Sequence, residues 1–337
     1  MATIARAIFG CSGTELTPDE RAFFADARPW GFILFARNIA DRQQARRLTD
    51  SLRTIREDAP ILIDQEGGRV ARLRPPEWKA RPPARRFGLL YEGAPEQARE
   101  ATYLNARLMA HDLAEIGVNV DCVPVLDVPV EGANEVIGDR AFSGAPAAVI
   151  DLGRAMMEGM LEGGVLPVMK HMPGHGRAGV DTHFALPRVA VAESELSATD
   201  FVPFRSLNSC PLGMTAHVVY EAIDGQRPAT ISPKIIRDVI RGEIGFEGML
   251  LTDDISMQAL SGSVGSRTKA ALFAGCDAVC HCNGKMEEMT EVAAEAKPLE
   301  GPSLKRAQTA LSHLNPAEEF DMEAGEARLA ELLRAVA

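Results

Sequence analysis

Short apolar segments recur along the whole chain, and stretches with helical spacing separate most of them. About eight segments have this character: 4–10, 30–37, 59–64, 117–127, 163–169, 212–217, 248–254 and 276–281. Strands that alternate with helices form parallel sheets, and eight such units close into a barrel. The pattern therefore predicts an α/β fold, a (β/α)8 TIM barrel built by one domain over residues 1–337, with a doubly wound open sheet as the alternative.

Ionisable residues stand at or just after the C-terminal ends of these predicted strands. They are Asp64, Asp127, Lys170 with His171, His217 and Asp253. In a parallel barrel these strand ends converge on one face, and active sites lie there. The arrangement favours the barrel over the open sheet and predicts a site at its C-terminal face.

The densest group of ionisable residues follows the fifth predicted strand, in residues 168–187 (VMKHMPGHGRAGVDTHFALP). Pro173 and three glycines exclude a regular helix here, because proline lacks an N–H and glycine favours irregular backbone. The sequence therefore predicts an irregular loop at about residues 171–187 that carries a functional site.

Two known motifs in this loop do not suit their usual ligands. Residues 174–179 match GxGxxG, but a dinucleotide site needs a helix after the glycines, and residues 180–187 have no helical pattern. His171 and His175 have the i, i+4 spacing of zinc ligands on a helix, which Pro173 and Gly174 exclude. Nucleotide and metal binding are both disfavoured, and no cofactor is expected.

Asp181 and His183 are better suited to acid–base chemistry. On an extended segment, residues i and i+2 project to the same side, so the carboxylate can orient the imidazole. A histidine with its ordinary pKa of about 6.5 exchanges a proton near neutrality. A hydrogen-bonded pair that only stabilises the loop is the alternative.

Carboxylates and cations elsewhere could complete such a site. Asp253, at a strand end, could act as a nucleophile, or it could cap the following turn, a part that Asp254 also suits. Four further residues could bind polar groups of a substrate: Asp64, Arg72, Arg140 and Lys170. Single arginines and lysines near loops are, however, more often solvated or ion-paired.

The composition narrows the class of partner. A formal net charge of −11 argues against a nucleic-acid partner, because such proteins need a basic surface. No apolar run reaches the ~18 residues that span a bilayer, and the N-terminal apolar stretch is too short for a signal peptide. The six cysteines lie mostly in apolar segments, which predicts buried free thiols. We expect a cytoplasmic monomer with no nucleic-acid or membrane partner, and a helical tail at about 303–337.

Six stretches form a recognisable set in one order along the chain. They are GFILFARN (31–38), IDQEGGRVARL (63–73), VIGDRAFS (136–143), KHMPGHG with DTH (170–176 and 181–183), MTAH (214–217) and TDDISM (252–257). Together they resemble glycoside hydrolase family 3, and specifically its single-domain bacterial β-N-acetylhexosaminidases. The sequence departs from the family pattern at Met172, where an aromatic residue or isoleucine is commoner, and at Thr182, where serine is commoner. Neither departure involves a reacting group.

The resemblance implies a role for each matching residue. Asp253 resembles the nucleophile that forms a covalent glycosyl-enzyme. His183 resembles the acid/base, with Asp181 as its partner, and both lie on what would be a mobile catalytic loop at about residues 171–187. Positions that bind the N-acetylglucosamine (GlcNAc) unit are matched by Asp64, Arg72, Arg140, Lys170 and His171. The resemblance further implies a metal-independent, retaining exo-β-N-acetylglucosaminidase of peptidoglycan recycling. Its small carbohydrate substrates would be muropeptides whose terminal GlcNAc is β-1,4-linked to 1,6-anhydro-N-acetylmuramic acid.

The chemistry agrees with these implied roles, although other functions stay open. A retaining glycosidase needs a nucleophilic carboxylate and an acid that later serves as base, and here a histidine would replace the usual second carboxylate. A phosphorylase with the same site, a Schiff-base lyase that uses Lys170, and a non-catalytic sugar-binding module are the alternatives.

Overall fold

The strands of the protein close into a barrel. A computed structural model describes residues 3–132, 136–178 and 186–336. Its strands are, in chain order, β1 Ala5–Gly10, β2 Pro29–Leu34, β3 Ile61–Ile63, β4 Val120–Asp121, β5 Leu166–Met172, β6 Arg188–Val189, β7 Leu212–Thr215, β8 Val219–Tyr220, β9 Met249–Asp254 and β10 Ala278–His281. Eight of them form a closed parallel barrel in the order β1, β10, β9, β7, β5, β4, β3, β2, and β6 pairs with β8 outside it. The predicted (β/α)8 barrel is confirmed.

Helices lie between most of the barrel strands. In the described ranges the α-helices are α1 Pro18–Ala27, α2 Arg42–Ile55, α3 Ala84–Gly93, α4 Pro95–Glu115, α5 Pro146–Glu162, α6 Glu193–Ala198, α7 Phe201–Ser206, α8 Glu221–Asp224, α9 Val264–Ala274, α10 Met286–Glu295, α11 Gly301–Leu311 and α12 Met322–Leu332. Short 3-10 helices occupy Ala36–Asn38, Gly138–Arg140, Ala229–Ile231 and Leu333–Val336, and Ile235–Glu243 is a π-helix.

The barrel strands are buried on both faces, by one apolar cluster inside the barrel and by a second one that includes the surrounding helices. In β3, Leu62 lies in the cluster that fills the barrel, whereas Ile61 and Ile63 belong to the larger cluster that includes the surrounding helices. Successive side chains of a strand point to opposite faces, so a strand that is buried on both faces reads as a continuous apolar run. The strand register then places side chains of neighbouring strands in one interior layer: Ile33, Leu62, Val120 and Leu166.

Side-chain caps fix the starts of α1 and α2. The Thr17 hydroxyl accepts a hydrogen bond from the Glu20 backbone N–H, and the Glu20 carboxylate accepts one from the Thr17 N–H, at 3.1 and 2.9 Å. Asp41 accepts from the Gln44 N–H at 2.7 Å and so begins α2. Such caps satisfy backbone donors that the first helical turn leaves unpaired.

Several element boundaries differ from the prediction. The proline- and arginine-rich composition of residues 74–86 predicts a loop, but α3 begins inside this stretch, with Ala84 and two arginines. The predicted strand at 117–127 is regular only over β4 and pairs again at a single bridge, Val125 to Lys170, because Pro124 has no N–H for a continuous ladder. The sequence predicts a single helix over residues 193–207, but the structure has two short helices there, α6 and α7, because Pro203 cannot donate to the carbonyl of residue 199. Lys170 and His171 lie within β5 itself rather than after it.

The C-terminal helices are attached to the barrel. Ala307 and Ala310 of α11 belong to the cluster that fills the barrel interior. Buried Arg81 donates to Glu326 of α12 at 2.8 Å and to Asp112 of α4 at 3.0 Å. The predicted helical tail therefore packs against the domain. All six cysteines are buried free thiols, as predicted. No helix in residues 3–132, 136–178 and 186–336 is both long enough and apolar enough to cross a bilayer.

Candidate active site

A cavity of about 700 Å³ opens at the C-terminal ends of the barrel strands. Its walls include Asp64, Arg72, Arg140, Lys170, His171 and Asp253. These are the predicted site residues that the structure describes. They surround one space although the first and last of them, Asp64 and Asp253, are 189 positions apart in the sequence. The predicted acid–base pair, Asp181 and His183, lies outside the described residues.

One wall of the cavity is a ladder of alternating charges. In order its members are Arg72, Asp64, Lys170, Glu66 and Arg140. Asp64 accepts from Arg72 at 3.0 Å and from the Lys170 ammonium at 2.9 Å. That ammonium lies 2.7 Å from Glu66, which also accepts two bonds of 2.8 Å from the Arg140 guanidinium. We call this set the charge ladder.

The charge ladder holds all its members ionised. Burial opposes ionisation of the Asp64 and Glu66 carboxyls, but the Lys170 and arginine charges outweigh it and lower the pKa of both. Burial also disfavours the Lys170 ammonium, yet the two carboxylates raise its pKa above the ordinary value. A lysine attacks a carbonyl only as the free amine, so this environment disfavours the Schiff-base lyase alternative.

A buried carboxylate, Asp127, stands behind the cavity. Its Oδ2 lies 2.7 Å from Nδ1 of His171, and its Oδ1 accepts from the backbone N–H groups of His171 and His175, at 3.2 and 2.7 Å. Burial would raise the pKa of Asp127, but His171 and these hydrogen bonds outweigh it and lower the pKa to about 2. Burial lowers the pKa of His175 to about 4, so its imidazole is neutral at physiological pH.

Asp253 closes the opposite side of the cavity at the end of β9. Its Oδ1 accepts from the Asp254 N–H at 2.7 Å. Desolvation opposes its ionisation, but the fields of His217 and His171 and this hydrogen bond outweigh it and lower the pKa of Asp253. The carboxylate is therefore ionised near neutral pH, which a nucleophile requires.

Neighbouring polar groups fix the backbone at the end of β9. Asp254 accepts from the Ser256 N–H and hydroxyl at 2.9 and 2.7 Å, so it stabilises the following turn, as the capping alternative predicted for it. His217 Nε2 lies 3.0 Å from the Asp254 carbonyl oxygen and Nδ1 lies 2.7 Å from the Thr230 hydroxyl. His217 thus supports the strand end from behind and does not line the cavity.

The residues on both sides of 179–185 form hydrogen bonds with residues of the segment 200–220. On one side the Tyr220 hydroxyl donates to the Gly174 carbonyl at 2.6 Å, and Arg177 donates to Asp200 at 2.7 Å. On the other side the Val219 N–H donates to the Pro187 carbonyl at 2.9 Å. The predicted catalytic loop at about 171–187 is therefore described only at its two ends.

Three residues of this site have no role that the sequence alone predicts: Glu66, Asp127 and His175. Glu66 lies two residues after Asp64 in the stretch IDQEGGRV, and Asp127 stands out in the sequence only as a strand-end acid. His175 lines the cavity beside His171, with the two ring centroids 5.8 Å apart. Within the described part of the chain, no group of three or more histidine, cysteine, aspartate or glutamate side chains is placed to hold a metal ion.

Comparison with known proteins identifies the family. The model of the glycosyl hydrolase family 3 N-terminal domain matches residues 14–314. The chain belongs to this family. A β-hexosaminidase of Alkalilimnicola ehrlichii is 44% identical over 283 residues, which cover 82% of this chain and 80% of the relative. A β-hexosaminidase of Thiobacillus denitrificans is 36% identical over 343 residues, or 99% of this chain and 94% of the relative.

Solved structures of the family share the fold. NagZ from Neisseria gonorrhoeae in complex with N-trifluoroacetyl-D-glucosamine superposes with a TM-score of 0.89 at 28% identity, covering 98% of each chain. A family 3 β-N-acetylglucosaminidase from Paenibacillus sp. str. FPU-7 gives a TM-score of 0.80 at 30% identity, over 98% of this chain and 61% of that one. The predicted resemblance to NagZ-type β-N-acetylhexosaminidases and the predicted enzyme class, a glycoside hydrolase, are confirmed.

Proposed function

We propose that the protein is a retaining exo-β-N-acetylglucosaminidase. It removes terminal GlcNAc from muropeptides that carry GlcNAc on 1,6-anhydro-N-acetylmuramic acid, and so serves peptidoglycan recycling. The observation that carries the proposal is the position of Asp253, an ionised carboxylate that faces the charge ladder across one cavity. The names of the relatives, β-hexosaminidases and an N-trifluoroacetyl-D-glucosamine complex, support GlcNAc as the sugar.

The proposed reaction consists of two successive displacements at the anomeric carbon of the sugar. In the first, an Asp253 oxygen attacks the anomeric carbon, the bond to the leaving oxygen breaks, and His183 gives that oxygen a proton. In the second, His183 takes a proton from water, the water oxygen attacks the anomeric carbon, and the ester to Asp253 breaks. Two inversions retain the configuration of the sugar. Asp181 orients His183 through both steps.

The charge ladder suits recognition of a neutral sugar. Its carboxylates accept hydrogen bonds from hydroxyl groups, and Arg72, Arg140 and Lys170 donate them. Because the two carboxylates already offset two of the three cations, a bound sugar need not supply a charge. A cavity of about 700 Å³ is within the range of sites that enclose a small ligand. On this basis we assign substrate binding to Asp64, Arg72, Arg140 and Lys170, and we add His171 because it lines the same cavity.

The proposal includes the setting of the enzyme. We propose a cytoplasmic monomer with a single catalytic domain over residues 1–337, a catalytic loop at about 171–187 that closes over the sugar, and no metal or cofactor. The mass in solution would be that of one 36.3 kDa chain, which sedimentation equilibrium measures directly.

Hydrolysis of purified substrates tests the proposal. Wild type should release GlcNAc from a chromogenic β-GlcNAc glycoside and from GlcNAc-1,6-anhydro-N-acetylmuramyl peptide. Asp253→Ala should lose several orders of magnitude in kcat/KM, whereas Asp50→Asn on the exposed surface of α2 should match wild type. Equal activity of Asp253→Ala and wild type would refute the assignment. Release of GlcNAc-1-phosphate in phosphate buffer would instead identify the phosphorylase alternative.

A further inference from the structure

We propose that Asp127 is a positioning residue that makes Nε2 of His171 a hydrogen-bond acceptor for one hydroxyl of the bound sugar. The inference rests on the proposed function, since it concerns how the same cavity recognises its sugar. It gives a task to a carboxylate that does not itself line the cavity.

Both oxygens of Asp127 have fixed partners. The side chain is fully buried, Oδ1 accepts from the backbone N–H groups of His171 and His175, and Oδ2 lies 2.7 Å from Nδ1 of His171. A carboxylate in its ionised form can only accept hydrogen bonds, and the low pKa of Asp127 keeps it ionised. The proton of a neutral His171 ring must therefore reside on Nδ1.

This tautomer determines what His171 presents to the cavity. A neutral imidazole carries one N–H, so with the proton on Nδ1 the other nitrogen, Nε2, has a free lone pair. His171 lines the cavity, and Nε2 is the ring nitrogen that Asp127 leaves for it. The cationic side chains that line the cavity can only donate hydrogen bonds, so Nε2 of His171 adds a hydrogen-bond acceptor beside them.

Asp127→Asn reverses the polarity of His171 with little change in shape. The two backbone N–H groups at Oδ1 hold the amide oxygen of the asparagine in that position. Its NH2 group then faces Nδ1 of His171 and donates to it, so the ring proton moves to Nε2. A sugar hydroxyl that donates to Nε2 in wild type now meets a donor, and kcat/KM should fall by about 10- to 100-fold, the range for one mismatched buried hydrogen bond.

The tautomer is measurable in the wild-type protein. Nitrogen-15 NMR at alkaline pH, where imidazole is neutral, distinguishes a protonated ring nitrogen from one with a lone pair. Comparison with His171→Gln assigns the signals. Among residues 3–132, 136–178 and 186–336, the groups that face His171 are Asp127, His175 and Asp253, and of these Asp127 contacts a ring nitrogen. We expect the proton on Nδ1, and a proton on Nε2 of the wild-type ring would overturn the inference.

Specificity provides the second measurement. The substrates are a chromogenic β-GlcNAc glycoside and its 3-, 4- and 6-deoxyfluoro analogues, because fluorine cannot donate a hydrogen bond. Wild type should discriminate strongly against fluorine at one position. Asp127→Asn should lose at least about tenfold of that discrimination and keep the ratios at the other positions. The assays are run at the same alkaline pH as the NMR measurement. Each ratio compares two substrates on one enzyme, so a general loss of activity at that pH cancels.

The matched control is Asp277→Asn. Asp277 is also fully buried and accepts several hydrogen bonds, but it lies at the start of β10, away from the cavity. This variant should be less stable and keep every wild-type ratio. A folded Asp127→Asn protein with unchanged ratios at all positions would overturn the inference. If that variant does not fold, the wild-type NMR result decides. Failure of the proposed function is a different outcome, in which wild type does not hydrolyse the parent glycoside.

Discussion

Replacing Glu66 by glutamine tests whether the charge ladder organises the sugar site. Glu66 is 6% exposed and accepts hydrogen bonds from both Arg140 and Lys170. Glutamine has nearly the same shape but removes one of two negative charges that face three cations. The ladder then changes from a net charge of +1 to +2, and the Arg140 guanidinium loses its bidentate partner.

The magnitude follows from the burial of these charges. Breaking a buried ion pair by removing one partner costs about 3–5 kcal/mol, and the remaining amide oxygen of glutamine favours the lower value. The entropy of unfolding of a 337-residue chain is ~0.7 kcal/mol/K at about 2.1 cal/mol/K per residue. A loss of about 3 kcal/mol therefore lowers Tm by about 4 °C.

Kinetics separates binding from chemistry in this variant. Arg140 and Lys170 contact the sugar in our proposal before and during the reaction, so their displacement removes uniform binding. We expect KM for a chromogenic β-GlcNAc glycoside to rise about tenfold or more, with kcat within a few-fold of wild type. Glu92→Gln is the control, because Glu92 pairs with Arg85 at 2.9 Å on the exposed surface of α3. An unchanged Tm and KM in Glu66→Gln would refute the reasoning.

Three other predictions concern stability, acid and the loop. Asp277 binds Arg241 and Arg306 at the base of the barrel, so Asp277→Asn should lower Tm by several degrees yet leave KM and kcat unchanged, as thermal melts and assays would show. The pKa of Asp127 is lowered to about 2 in the folded protein, so its ionised carboxylate adds to the free energy of unfolding at pH values above its unfolded pKa of about 4. This contribution, roughly 2–3 kcal/mol, should disappear between about pH 4 and 2 in wild-type acid titrations and be absent from Asp127→Asn. Tyr220→Phe frees the Gly174 carbonyl and should lower kcat several-fold with little effect on the Tm; an unchanged kcat would contradict a role in holding the loop.

The sequence predicts most of the barrel because its strands are buried on both faces. Such strands read as apolar runs, and β1, β2, β5, β9 and β10 lie close to where those runs predict them. The prediction fails where local composition misleads. The proline- and arginine-rich stretch before α4 runs into a helix, α3, and the apolar run 117–127 forms only the two residues of β4 and one further bridge from Val125.

The residues of the site also fall into two groups, those that the sequence predicts and those that it does not. Asp64, Lys170 and Asp253 are predictable because parallel strands bring their ends to one face. Glu66 and Asp127 are not, because their importance depends on distances across the barrel, to Arg140 and His171, that no local pattern encodes. The assignment of Asp181 and His183 stays a prediction.

The central claim is that Asp253 attacks the anomeric carbon of a bound GlcNAc unit. A 5-fluoro derivative of a GlcNAc glycosyl fluoride slows hydrolysis of a covalent intermediate more than its formation, so the glycosyl-enzyme accumulates and can be digested for peptide mass spectrometry. Our account predicts one sugar per chain, esterified to Asp253, with release on addition of an acceptor. A label on Asp254 or Lys170, or turnover that inverts the anomeric configuration with no labelled peptide, would contradict it.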